Sequence, residues 1–151
     1  MNPITTLAAA VGARAELLSV ALRTVTATIV PLAPGVQVEI STSWTTRHDR
    51  DDQGEVVEYA VDFAVGGLRP CAPSVRGQFV LQYRIPGLRG VSDEQLQAFG
   101  QVSVAFSAFP YLRELVQSLT VRAGLPALVL GTLRAPVDPP PEELGDLAKA
   151  D

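Results

Sequence analysis

At 151 residues, with 47% apolar and 19% charged residues, the chain is long enough for one domain with its own core. Its apolar surplus points to a subunit interface or a working apolar surface. A net charge of −4, with scattered arginines carrying nearly all the positive charge, excludes the clustered basic face of a nucleic-acid binder.

A single cysteine, Cys71, cannot build a disulfide framework. No basic residue precedes the short apolar run at the N-terminus, and no run approaches the ~18 apolar residues of a membrane helix. A cytoplasmic chain without membrane contact is expected.

The first segment, LAAAVGARAELLSVALRTVTATIV, starts alanine-rich and ends β-branched. It predicts a short helical turn over 7–13 and a strand over about 17–29, with a bulge near Arg23 where the alternation slips. PLAPG ends the strand, because its prolines cannot donate to a ladder. VQVEISTSW then puts Val36, Val38, Ile40, Thr42 and Trp44 on one face, and RHDRDDQGE reads as a polar turn. VVEYAVDFAV sets Val57, Tyr59, Val61, Phe63 and Val65 against Glu58, Ala60 and Asp62. SVRGQFVLQYRI sets Val75, Gly77, Phe79, Leu81, Tyr83 and Ile85 against Arg76, Gln78, Gln82 and Arg84. Four such strands joined by loops predict an antiparallel meander with one covered face and one wet face.

After PGLRG the period changes from two to 3.6. In VSDEQL, Ser92 is the cap, Gln95 completes the capping box, and Val91 with Leu96 forms the staple. Gly124 and Pro126 mark the end, ~32 residues later, or about 48 Å of helix at ~1.5 Å per residue. Pro110 interrupts it, as a kink or as a restart with Pro110 in the first turn. The apolar stripe outruns what one short-stranded sheet can cover, so a second subunit is expected to bury the rest. An extended apolar strip, a proline cluster and a short acidic helix over 142–150 close the chain. The fold class is α+β: a four-stranded antiparallel meander, a long proline-interrupted helix and a short C-terminal helix. One domain spans 1–151, with a proline-rich tail over 134–151.

These elements, with FPYLRELVQSLTVRAGLPALVL on the long helix, resemble the SecB family of export chaperones. Phe109, Pro110, Tyr111, Arg113 and Glu114 match its F-P-Y-x-R-E pattern, with Leu112 in the open position, and Ser118, Gly124, Pro126, Leu128 and Leu130 follow in order. The likeness spans roughly 17–133. It implies a homotetramer, a dimer of dimers with the long helices between two sheets, and an ATP-independent holdase whose apolar grooves wrap unfolded chains. No cofactor is implied. Members that deliver clients to the translocase motor have a longer second helix and an acidic tail. The short proline-rich stretch after Pro136 argues against motor contact through the tail, and the chain looks more like the divergent SecB-like chaperones, some of which protect antitoxins. The clients are accordingly preproteins or an antitoxin.

Phe99, Phe106 and Phe109, with Leu112 on the same stripe, are assigned to core or subunit interface. Client contact is assigned to apolar residues beside chain breaks: Leu32 and Val36 around PLAPG, and Leu128, Leu130, Leu133 and Val137 along the exit strip. Packing over the sheet is an equal alternative for that strip. Trp44 fits a wet face, an interface or a groove. DRDDQG imitates the start of a calcium loop with Asp49, Asp51, Gln53 and Gly54, but its twelfth position is Ala60, so a hairpin turn is the better reading. His48, the only histidine, lies in a charged stretch, and Cys71 lies in a loop with no histidine near it in sequence. No phosphate loop or metal-ligand spacing occurs, and no enzymatic activity is expected. The rivals are a hotdog-type domain binding a small ligand or thioester, and a passive oligomeric scaffold. Hotdog domains usually place their helix after the first strand.

Overall fold

A computed structural model describes residues 2–30, 40–51, 53–67, 73–125 and 130–131. The elements run α1 (Pro3–Gly12), β1 (Glu16–Thr28), β2 (Ile40–Arg50), β3 (Val56–Gly67), β4 (Ser74–Arg84), a 3-10 turn (Leu88–Gly90), α2 (Asp93–Phe99), a π-helical stretch (Gly100–Val104) and α3 (Ala105–Arg122). The architecture is α+β, a four-stranded antiparallel sheet followed by a long helix. The expected terminal helix over 142–150 lies outside the described residues.

The strand order is β1-β4-β3-β2. Strands β2 to β4 form the expected meander, but β1 pairs with β4 instead of β2, which closes a Greek key. Periodicity reports which side chains share a face; it carries no information on which strand lies next door. Both β1 and β2 are therefore edges. The ladder slips between Leu22 and Thr24, which places the expected bulge at Arg23, and again between Leu17 and Ser19.

Gly77 marks a close approach within that ladder. A Cβ there would meet the backbone carbonyl oxygen of Thr24 on β1 and, at 2.9 Å, the ring of Phe63 on β3. A carbonyl in a paired strand cannot move aside as a side chain can. Gly77→Ala is therefore expected to destabilise the fold by about 1–3 kcal/mol. A urea titration checks this, and an unchanged midpoint would refute the crowding.

Strand β2 runs on through Arg50, so the charged RHDR stretch is strand and the polar turn begins only afterwards. Two of its inner-face residues, His48 and Arg50, meet the start of the helical layer. Arg50 donates to the Val91 carbonyl at 2.8 Å and lies 3.7 Å from Asp93, and His48 lies 3.6 Å from the same carboxylate. The turn itself is tied by Asp51, whose carboxylate accepts from the Gln53 amide at 3.0 Å. That is the hairpin arrangement.

The helical layer starts as its sequence signature predicts. Ser92 accepts from the Gln95 amide at 3.2 Å, and the Gln95 side chain accepts from the Ser92 amide at 2.9 Å. It ends at Gly124, with φ of 75°, where the Leu125 amide donates back to the Thr120 carbonyl at 3.0 Å. Between these ends the break differs from expectation. Pro110 lies inside α3 and not in its first turn, so the restart reading is corrected. The irregular stretch comes earlier, from Gly100, whose backbone is pressed onto the sheet. A Cβ on Gly100 would stand 2.9 Å from the Tyr59 ring and 3.0 Å from the Thr46 hydroxyl.

The core lies between the sheet and this layer. Val57, Tyr59, Val61, Phe63 and Val65 of β3 are buried at alternate positions, as are Phe79, Leu81 and Tyr83 of β4. Phe99 stands edge-on to Tyr83 and Tyr59, with ring centroids at 5.1 and 5.8 Å. The opposite face carries a polar lattice. Arg47 and Gln78 bond Asp62 at 3.1 and 2.9 Å, and Gln82 bonds Glu58 at 3.3 Å with Arg23 at 3.7 Å.

Candidate functional site

Helix α3 buries Ala105, Ala108, Leu112, Val116 and Thr120 along one stripe. The two alanines keep the helix close to the sheet, while Phe109 leans sideways toward β2. A crevice forms there, lined by Trp44 of β2, Val61 and Phe63 of β3, Phe79 of β4, and Ala105, Ala108, Phe109 and Leu112 of α3. Every lining side chain is apolar. Its internal volume is about 10 Å³, room for one water at most, so it is a narrow slot that admits no more than the tip of an apolar side chain. Small-molecule sites usually hold ~300–1,000 Å³. Trp44 stands at the rim, 37% exposed, where the register sets it opposite Phe63 on the core-facing side of the sheet.

That core-facing side is wider than the helical layer above it. The register puts Leu17, Leu22 and Val25 of β1 opposite Tyr83, Phe79 and Gly77, on the same side as the core. Yet these three are 40%, 42% and 42% exposed, because no element of the described chain lies over them. Helix α3 also leaves Phe106, Tyr111 and Val121 exposed, with the Tyr111 ring 6.4 Å from that of Phe79 on β4. The described residues thus present exposed apolar side chains on β1 and on α3, and a narrow crevice beside Trp44.

The four residues assigned to core or interface divide between these places. Phe99 and Leu112 sit in the chain's own core, Phe109 is half-buried at the crevice, and Phe106 is exposed. Of the residues assigned to client contact, Leu32, Val36, Leu128, Leu133 and Val137 lie outside the described residues. Leu130 is buried and joins the core cluster, which leaves little of it for a client. Of the crevice residues, Phe63 and Phe79 were legible only as members of a covered strand face, and Ala105 and Ala108 carried no signal in the sequence. Trp44 was the one available signal, an aromatic in phase with β3's buried row at a strand edge.

The titratable groups of the interior serve structure. The Tyr59 hydroxyl donates to the Leu96 carbonyl at 2.8 Å, and burial pushes its pKa well above the ordinary phenol value, with Tyr83 adding to the rise. Burial raises Tyr83 as well, and the neighbouring Ser107 side chain offsets part of that rise. The Tyr83 hydroxyl completes no hydrogen bond among the described residues. His48 is engaged with Asp93 and stacks obliquely near Tyr59 at 5.9 Å. No group of three or more His, Cys, Asp or Glu among the described residues could hold a metal, and no described helix is long and apolar enough to cross a membrane.

The backbone superposes on that of the SecB-like chaperone Rv1957 of Mycobacterium tuberculosis, solved in complex with a ChAD peptide from the Rv1956 HigA1 antitoxin. The TM-score is 0.80 and the identity 20%, over 87% of this chain and 100% of that one. The chain has the SecB-like fold. A protein of unknown function from Streptococcus agalactiae also matches, with a TM-score of 0.46 and 12% identity over 78% of this chain and 97% of that one. No protein-family profile and no curated protein matches the chain. In this SecB-like chain the helical layer follows the fourth strand, and the slot beside Trp44 opens between that layer and the β2 edge of the sheet.

Proposed function

We propose that the protein is an ATP-independent holdase that binds unfolded or aggregation-prone polypeptides and works without a cofactor. The observation that carries this reading is the apolar slot at Trp44 and Phe109, on a chain that also exposes apolar side chains on β1 and α3. A holdase needs many shallow apolar footholds, since affinity for unrelated clients must come from repeated weak contacts. A slot too small for a metabolite and entirely apolar suits that task better than it suits a thioester site.

The two uncovered surfaces support a homotetramer. One lies on β1 and the other on the outer face of α3, so each can pair with its own copy by a separate twofold axis. Two such isologous contacts generate a dimer of dimers. The client is an unfolded segment of a preprotein or an antitoxin. The antitoxin peptide bound to the mycobacterial neighbour favours the second. Partnership with the translocase motor forms no part of the proposal.

Native mass spectrometry of the full chain, alone and with reduced, carboxymethylated α-lactalbumin or its folded counterpart, tests the reading. The expected result is a tetramer that takes up the unfolded chain and ignores the folded one. A particle that binds neither would return the protein to the class of passive scaffolds. Trp44→Ser is expected to weaken uptake several-fold while the subunit stays folded with a lowered melting temperature, because the side chain stands at the rim, 37% exposed, with the rest packed beside the slot. Equal uptake by the variant would remove the slot from the site.

A further inference from the structure

Between α2 and α3 the helix holds one surplus residue. The Ala105 amide donates to the Gly100 carbonyl, five residues back, where an α-helix spans four. Further along stands Pro110, inside α3 and exposed to solvent. It has no amide proton for the Phe106 carbonyl, and at α-helical spacing its ring crowds that oxygen. Being exposed, it adds nothing to the core. A turn wound with one more residue would move the crowded carbonyl away from its ring. Two places therefore suit the surplus residue: Gly100, where it is found, and the turn just ahead of Pro110. The segment between them, SVAFSA over 103–108, fits either arrangement. As the helix stands, Val104, Ala105 and Ala108 are buried. Moving the wide turn to Pro110 rotates this segment by ~100° and advances it by ~1.5 Å, so that each residue takes the place of the next. Ser103, Val104 and Ser107 then face inward, none larger than valine. A helical serine satisfies its hydroxyl on the carbonyl four residues back, as Ser107 already does with Ser103 at 3.0 Å. The Tyr83 hydroxyl, buried with no hydrogen bond among the described residues, neighbours Ser107, so the segment borders an unmet donor.

We propose that the π turn is movable: it shifts between 100–104 and the residues just before Pro110, turning the short segment between them about the helix axis. Residues outside that segment keep their places. Phe99 anchors one end in the core, and Leu112 and Val116 anchor the other. In the second arrangement Ala108 takes the place of Phe109 beside Trp44, and Phe109 turns outward. The crevice, about 10 Å³ with Phe109 in its wall, then opens by most of a phenyl ring. The shift is a property of the folded chain by itself. Its use, which is to admit an apolar side chain that the closed slot excludes, rests on the holdase reading.

The test measures thiol reactivity with methyl methanethiosulfonate in the full chain carrying Cys71→Ser. Val104→Cys and Ala105→Cys are compared, each with Pro110 kept and with Pro110→Ala. The shift carries position 105 from a buried place to the exposed place of Phe106, whereas position 104 is buried in both arrangements. The thiol at 105 is expected to react at least about tenfold faster than the thiol at 104, a difference that opening of the whole helix would not produce. Pro110→Ala is expected to slow position 105 to the rate of 104, because alanine restores the amide that bonds the Phe106 carbonyl. Equal rates with Pro110 in place would overturn the movable turn, as would a fast thiol at 105 that survives Pro110→Ala. Uptake of reduced, carboxymethylated α-lactalbumin by the Cys71→Ser chain separates the two readings. Uptake with equal rates removes the turn and leaves the holdase; a fast thiol at 105 without uptake keeps the turn and removes its use.

Discussion

Phe99→Ala is expected to cost about 3–5 kcal/mol of folding free energy, the range for emptying a phenylalanine site in a packed core. Phe99 is 2% exposed at the last turn of α2, where α1, α2, β3 and β4 converge. Its ring stands edge-on to Tyr83 and Tyr59, and Gly12 of α1 lies against it, with a Cβ there only 3.7 Å from its edge. Few of these neighbours can collapse into the gap. The Tyr rings are fixed by the strand backbone, and the Tyr59 hydroxyl is held by the Leu96 carbonyl. Moving Tyr59 would break that bond in a buried setting and add to the loss. Phe99→Leu should cost roughly half as much, since it leaves a smaller cavity. Urea unfolding at one fixed protein concentration measures both. A loss below about 1 kcal/mol for the alanine variant would mean that this junction is not where the helical layer is held.

The sequence made some of this fold plain and hid the rest for identifiable reasons. Strands β3 and β4 were legible because each is covered on one face and wet on the other, which writes a period of two into the chain. The start of the helical layer was legible because Ser92 and Gln95 bond locally. Helix α1 was read four residues too late. Its true start is Pro3, capped by Asn2, whose side chain accepts from the Ile4 amide at 2.9 Å. Asn-Pro is a local start signal as readable as the one at Ser92. The end of β2 was not local at all: its charges look like a turn until Arg50 and His48 meet Asp93, forty-odd residues away in sequence. The position of β1 beside β4 is equally non-local. The π-helical stretch depends on Gly100 meeting Tyr59 and Thr46, a contact between elements that no single window contains. The slot follows the same rule, since Trp44, Phe79 and Phe109 come from three elements brought together only by the topology.

Leu22→Arg combined with Val25→Arg is expected to dissociate the assembly while leaving the subunit folded. Both residues lie on the core-facing side of β1, yet both are 42% exposed in the isolated chain. An arginine at either position can reach water in the monomer, so the fold should lose under about 1 kcal/mol. In an interface that covers this face, the same change buries two unpaired charges per subunit, each costing several kcal/mol. The dissociation constant should rise at least about a thousandfold, since each ~1.4 kcal/mol is a factor of ten. Native mass spectrometry and sedimentation would then show a smaller particle, with circular dichroism and urea midpoint close to those of the parent. The alternative outcome is informative in the other direction. If the particle keeps its mass, the uncovered face of β1 is not a subunit contact. It would then be apolar surface continuous with the core and open to solvent, on a strand edge that nothing in the described chain protects. Such an edge would aggregate unless a client or partner covered it. The client site would in that event extend across the sheet to β1, and the double variant would lose client uptake without losing mass. One preparation, measured for mass and for uptake, therefore decides which of two apolar surfaces belongs to the subunits and which to the chains they hold.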